Sequence, residues 1–234
     1  MITTAPELIY MLKVNIGIAL FYAFYKLFCC RDTFFQWRRI ALLSFLALSF
    51  LYPLMDMQAW VKEQPAINEL ADYYTLMMLT ETNTSTATVV TTPVAIPTPG
   101  LLDIIKFIYW IGILLLSARF MIQLSSIFHL VLKSKSINVD QISIRSLSEP
   151  ANPFSFWQWI FVYLPELKED EKQEILTHEQ THVRQWHSID VIISEIVNII
   201  CWMNPFAWLM KTEIRLNLEY LACLLYTSPS PRDA

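Results

Sequence analysis

The chain has 234 residues; 55% are hydrophobic, 14% aromatic and only 16% charged, against about a quarter charged in a soluble domain, so lipid is part of its solvent. That hydrophobicity excludes disorder, four cysteines are too few for a disulfide scaffold, and Gly17, Gly100 and Gly112 cannot build a phosphate-binding loop. A formal charge of −4 and a pI near 5.6 leave no basic footprint for direct nucleic-acid binding.

Three apolar stretches reach the roughly 20 residues that a membrane helix needs: 7–28, 39–57 and 104–125. The first opens with Glu7, carries Lys13 and has no small-residue cleavage site after it. It is a span and not a signal peptide. Lys13, Lys26, Lys106 and Arg119 lie near span ends, where long side chains snorkel to the interface. Between the first two spans stand Lys26, Arg31, Arg38 and Arg39 against Asp32. The loop 58–100 carries Lys62 against Glu63, Glu69, Asp72 and Glu81. The positive-inside rule puts the first loop in the cytoplasm and the second outside. The N-terminus is then outside and the chain after the third span inside. Within the outer loop, 66–79 fits a short surface helix and the Thr/Pro tract 80–99 an extended connection. Residues 1–135 thus form a membrane domain in contact with lipid.

After Lys135 the texture changes, and 136–222 reads as a small α+β cytoplasmic domain. Residues 137–145 alternate as a short strand should, 150–156 is a turn running into an aromatic strand, and 159–163 is another strand. Pro165 and the acids behind it start a helix over about 169–186. That helix contains His178-Glu179-Gln180-Thr181-His182. Histidines at i and i+4 share a helical face, so both imidazoles reach one metal. Neutral imidazole suits zinc, and a catalytic zinc takes three protein ligands and leaves a position for water. Glu179 sits beside the pair, where a carboxylate can take a proton from that water.

The third ligand has several candidates: His187, Asp190, Glu195, Glu213 and Glu219. His187 and Asp190 follow too closely to fold back as independent ligands, though either can stand behind a ligand or on the surface. Glu195 lies in an apolar run that breaks at Asn204-Pro205, after which a helix covers about 206–222. Glu219 on that helix is far enough downstream for one helix out, a turn and one helix back. Glu213 is the runner-up, and reads better as a solvated charge beside Lys211 and Arg215.

The segments PFSF (153–156), ILTHEQTHVRQWHSIDVI (175–192), WMNPFAWLM (202–210) and NLEYLA (217–222) resemble the zinc peptidase domain of BlaR/MecR-type membrane sensor-transducers. The resemblance is specific over 153–222 and looser over the preceding spans. It implies a gluzincin site facing the cytoplasm, with His178, His182 and Glu219 as zinc ligands and Glu179 as general base. It further implies a bacterial cytoplasmic-membrane protease whose substrate is a transcriptional repressor or the protein itself. Phe154, Ser155 and Phe156 are the expected substrate strand, binding by strand addition.

The fold class that follows is mostly α and integral to the membrane, with three spans and a gluzincin-like domain. The run 189–210 is long enough for a fourth span, about 33 Å. A span there would put Glu219 across the membrane from the two histidines, so it is expected to be a buried or membrane-apposed helix. Glu195, Asn198 and Asn204 inside it agree.

One departure stands out. Four residues after the glutamate ligand the family pattern has an aspartate that orients a ligand histidine; here that residue is Cys223. From Cys223 the sequence CLLYTSPSPRDA leaves the helical pattern and resembles translated adapter sequence, so 223–234 is expected to be a foreign tail, with a further span and an extracytoplasmic domain missing. A genuine cysteine would instead favour a non-catalytic transducer, whose zinc domain relays shape or docks a partner.

Overall fold

The computed structural model describes residues 6–29, 33–55, 100–139, 142–147, 149–163 and 169–227. The expected surface helix 66–79, the Thr/Pro tract and the end of the tail lie outside these. The protein is mostly helical; among the described residues are three helices long and apolar enough to cross a membrane and one small sheet. Helix α1 (Pro6–Phe24) runs into a π-helical turn, Tyr25–Cys29. Helix α2 (Phe35–Leu51) ends in a 3-10 turn, Tyr52–Leu54, and α3 covers Leu101–Lys133.

The three spans pack differently. Buried residues on α1 and its π-helical turn (Val14, Ile18, Tyr22, Tyr25) and on α2 (Arg38, Leu42, Leu46, Ser49) recur every three or four positions. Such spacing is a single helical stripe facing a partner. That partner is the end of the chain: Tyr22, Tyr25, Leu42 and Leu46 share one core with Met210, Ile214, Leu218 and Leu221. By contrast, no residue of the most apolar window of α3 is buried.

The sheet follows α3 directly. Strands β1 (Lys135–Val139) and β2 (Ile142–Ser146) form an antiparallel hairpin, and β3 (Phe154–Phe156) pairs antiparallel with β4 (Trp159–Val162). Strand β4 runs parallel to β2, which makes the order β1-β2-β4-β3. The single strand expected over 137–145 is therefore two. Apolar residues occupy odd positions at Ile137 and Val139 and even ones at Ile142 and Ile144, and the change of phase at Asp140-Gln141 separates the strands. Ile160 and Phe161 of β4 are fully buried, and Ile160 packs with Val183 and Leu176 of the next helix. Strand β3 is left at the sheet edge.

Three helices complete the chain: α4 (Glu169–Arg184), α5 (His187–Ile200) and α6 (Pro205–Thr227). A left-handed residue, Trp186 at φ 57°, turns the chain between α4 and α5. Asn204 caps α6, its Oδ1 accepting the Phe206 N–H at 3.0 Å, with Pro205 at the first helical position. Contrary to the break expected at Cys223, α6 continues through it to Thr227, because Leu224, Leu225 and Tyr226 are compatible with another helical turn.

Helices α5 and α6 form a hairpin that lies along α1. Its corner reaches the middle of that span, where Asn204 Nδ2 donates to the Asn15 carbonyl at 3.1 Å. Val14 and Ile18 pack there on Cys201 and Ala207. Helix α3 docks at the same corner: the Tyr109 hydroxyl donates to the Ile200 carbonyl at 2.6 Å, and Trp202 Nε1 donates to the Tyr109 carbonyl at 3.3 Å.

Candidate metal centre

Helix α4 carries His178 and His182 one turn apart, and α6 packs across it to bring Glu219 opposite. The two Nε2 atoms are 3.2 Å apart, and Glu219 Oε2 lies 3.5 Å from that of His178 and 3.8 Å from that of His182. Donors at zinc–ligand lengths of ~2.0–2.1 Å around a tetrahedral ion stand about 3.3–3.4 Å from one another. The edges to His178 lie close to that figure and the His182–Glu219 edge is longer, and two imidazoles with a carboxylate are a donor set of the right chemistry for zinc. Among the described residues no other group of three such side chains converges.

These residues line one open cavity of about 930 Å³. Glu179 also lines it and is buried, as are parts of the two histidines, while Glu219 enters from the exposed side. Phe154, Ser155 and Phe156 form another wall, so β3, an edge strand among the described residues, runs beside the donor cluster. The turn after β3 is fixed to the helical layer: the Trp157 N–H donates to Ser188 Oγ at 2.9 Å, and Trp157 meets Trp186 edge-on at 5.0 Å. Both tryptophans have φ 57°, a conformation costing a bulky residue of order 1–3 kcal/mol, and they pack on each other. Cys223 lines the same cavity one turn beyond Glu219.

His187 has a definite place behind the cluster. On a continuous helix it would point about 140° away from His182. The left-handed turn at Trp186 swings it back, and its Nδ1 lies 2.8 Å from His182 Nδ1. Its Nε2 is 3.0 Å from Gln185 Oε1. Burial, then the neighbouring His182 and Arg39, push the His187 pKa down to about 3, so the ring is neutral. Burial also lowers the pKa of His182, against the opposing pull of Glu219 and Glu179.

The other acids found partners. Asp190 is buried and receives Arg39 of α2 through Nε at 2.6 Å and Nη2 at 3.2 Å, while the same Nη2 donates to the Gln185 carbonyl at 2.8 Å. Glu195 pairs with Lys211 at 2.7 Å and Arg215 at 2.8 Å. Glu213 is not the solvated charge expected. It receives Lys26 and the Tyr25 hydroxyl (3.1 Å), and Arg38 donates to that hydroxyl at 2.6 Å and stands 3.8 Å from the carboxylate. Sequence reasoning had used Arg38 and Arg39 only to orient the spans, and Lys26 for that and as a side chain that snorkels to the interface. Two adjacent arginines opening an apolar helix were the available sign of buried partners.

Comparison with protein-family models matches residues 14–223 to the family described as BlaR1 peptidase M56. No curated protein gives a significant match.

Proposed function

The chain belongs to the BlaR1 peptidase M56 family, and on that premise we propose that it is a membrane-embedded zinc endopeptidase that cuts a cytoplasmic protein, either a transcriptional repressor or the chain itself. The observation that carries this reading is the convergence of His178, His182 and Glu219, their donor atoms 3.2–3.8 Å apart, beside Glu179 and strand β3, an edge strand among the described residues. When bound, the ion polarises a peptide carbonyl and acidifies the attacking water. Glu179 takes the proton of that water and returns it to the leaving amine. An extended peptide adds to β3, whose main-chain groups hold it across the cavity. His178, His182 and Glu219 have no other role in this scheme than to hold the ion.

The same packing supports a topology. Lys26, Arg38 and Arg39 reach Glu213 and Asp190 on α5 and α6, so the positively charged loop and the metal cluster share one side, the cytoplasm by the positive-inside rule. Asn15 lies eight residues into α1 from Glu7, about 12 Å of rise. The corner of the α5–α6 hairpin, bonded to Asn15, therefore enters the bilayer from the cytoplasmic side and turns back within it.

Metal content and cleavage test the assignment separately. Glu179→Ala is expected to keep zinc and to lose about 10²–10⁴-fold in cleavage of itself and of a co-expressed repressor. His178→Ala and Glu219→Ala should lose the zinc as well. Undiminished cleavage in cells carrying Glu179→Ala would remove the catalytic assignment of Glu179; if it then persisted without the chain, it would belong to another protease and leave the non-catalytic transducer, the reading that Cys223 in the cavity wall favours.

A further inference from the structure

The hydrogen bonds behind His182 have a direction. Gln185 Oε1 can only accept, so His187 Nε2, 3.0 Å away, carries that ring's proton. A neutral imidazole then has a bare Nδ1, and the proton between the two rings at 2.8 Å belongs to His182 Nδ1. That leaves His182 Nε2, the atom facing His178 and Glu219, as a lone pair. The opposite arrangement would put a proton on His182 Nε2 and close it to a cation. Gln185 is itself held: its carbonyl accepts from Arg39 Nη2 at 2.8 Å, and the same guanidinium grips Asp190. His187 and Asp190 are both buried, at 2% and 3% exposure, so water does not compete for these bonds.

We propose that His187, fixed by Gln185, is a positioning residue that sets the tautomer and orientation of His182, and that Arg39 on membrane helix α2 holds this relay in place. The inference rests on the metal-site reading above and names what prepares that site. Because Arg39 belongs to the first turns of a span, a displacement of α2 acts on a metal ligand through three side chains.

The test measures zinc and cobalt affinity of the full chain in detergent by chelator competition, together with the cobalt absorption spectrum and thermal unfolding of the metal-free protein. His187→Leu removes the acceptor and is expected to weaken zinc binding by about 10–100-fold. His187→Asn places Oδ1 where Nδ1 stood and should restore affinity to within about threefold, with a spectrum like that of the parent. Gln185→Leu is expected to weaken binding about tenfold while Gln185→Glu, which keeps the acceptor, does not. This pair, at a half-buried site, carries the test if the His187 variants fail to fold. Arg39→Met should fall between Gln185→Leu and the parent. Equal affinities for parent, His187→Leu and Gln185→Leu would overturn the proposal. So would an Asn variant as weak as the Leu variant, because packing alone would then explain the loss. His178→Ala and Glu219→Ala run beside them: if those two retain zinc, the metal site itself is wrong, whereas if only they lose it, the relay alone falls.

Discussion

Helix α3 and the α5–α6 hairpin are both apolar enough by sequence to be spans, and they bury opposite kinds of surface. Helix α3 presents apolar side chains on every side: Ile105, Trp110, Leu114 and Ile122 are all exposed. A helix that is hydrophobic all round, with none of its most apolar window buried, belongs in lipid. Helix α5 is inverted. Its buried stripe is His187, Asp190, Ser194 and Asn198, and its outward stripe is Ile189, Ile193 and Ile196. A water-soluble helix buries the apolar stripe. Turning polar groups inward and isoleucines outward suits a helix whose outer solvent is hydrocarbon, where polar residues face the bundle interior. Total hydrophobicity cannot tell these two helices apart; the phase of the polar residues can.

The largest effect expected concerns the charges that bind the hairpin to the spans. Glu213→Ala leaves Arg38, at 8% exposure, without its carboxylate. Breaking a buried pair from one side costs about 3–5 kcal/mol. Thermal and denaturant unfolding in detergent should show the loss. The same truncation on the lipid face of α3, Leu115→Ala at 65% exposure, should cost within about 0.5 kcal/mol. Equal costs would mean that α3 is packed as the hairpin is.

A charge at the hairpin corner probes depth directly. Met203 is 58% exposed there, and Leu114 is 68% exposed midway along α3. Lysine at the centre of a membrane helix costs about 2.5–3.5 kcal/mol on insertion scales. Met203→Lys and Leu114→Lys are expected to lower folding yield in bilayers to a comparable degree. Leu132→Lys, beyond the expected end of the span, should be nearly silent. A silent Met203→Lys would return the corner to water and remove the inserted hairpin.

The corner also depends on Asn204, which donates to the Asn15 carbonyl and caps α6. Asn204→Ala loses both bonds, for about 1–2 kcal/mol in unfolding. Asn204→Asp keeps the cap and loses the donor, so it should fall between. An Asp variant no better than Ala would mean that the contact to α1 matters more than the helix start.

Much of this could be read before any coordinates, and the reason is locality. The spans, the strands at 154–156 and 159–162 and the HExxH helix follow from composition and periodicity within a dozen residues. The placement of His178 beside His182 is one turn of helix. Glu219 was reached by a longer argument, in which the chain must return to the histidines. The unread parts are long-range. Nothing within 20 residues of Arg39 announces Asp190 as its partner, and Arg38 was counted for its sign alone. His187, too close to His182 to be an independent ligand, was left open between a place behind a ligand and one on the surface, because a tryptophan in a left-handed turn has no clear sequence signal. The β1–β2 hairpin was legible in the change of apolar phase at Asp140-Gln141 and was passed over as one strand.

The smallest effect expected tests whether α3 can be moved without touching the metal site. Gly112 lies so close to the Trp202 ring that a Cβ there would overlap it. The ring cannot easily yield, since its Nε1 is bonded to the Tyr109 carbonyl. In Gly112→Ala the helix must therefore slide away from the corner, weakening that bond and the one from Tyr109 to Ile200. Overpacking of this kind costs about 1–3 kcal/mol, and relaxation of a helix with no other buried face keeps it near the lower end. Zinc affinity should be unchanged, because the relay behind His182 runs through α2 and not α3. A tenfold loss of affinity in Gly112→Ala would show that α3 supports the half that carries His178, His182 and Glu219 as α1 and α2 do, and the contrast between bare and packed spans would lose its meaning.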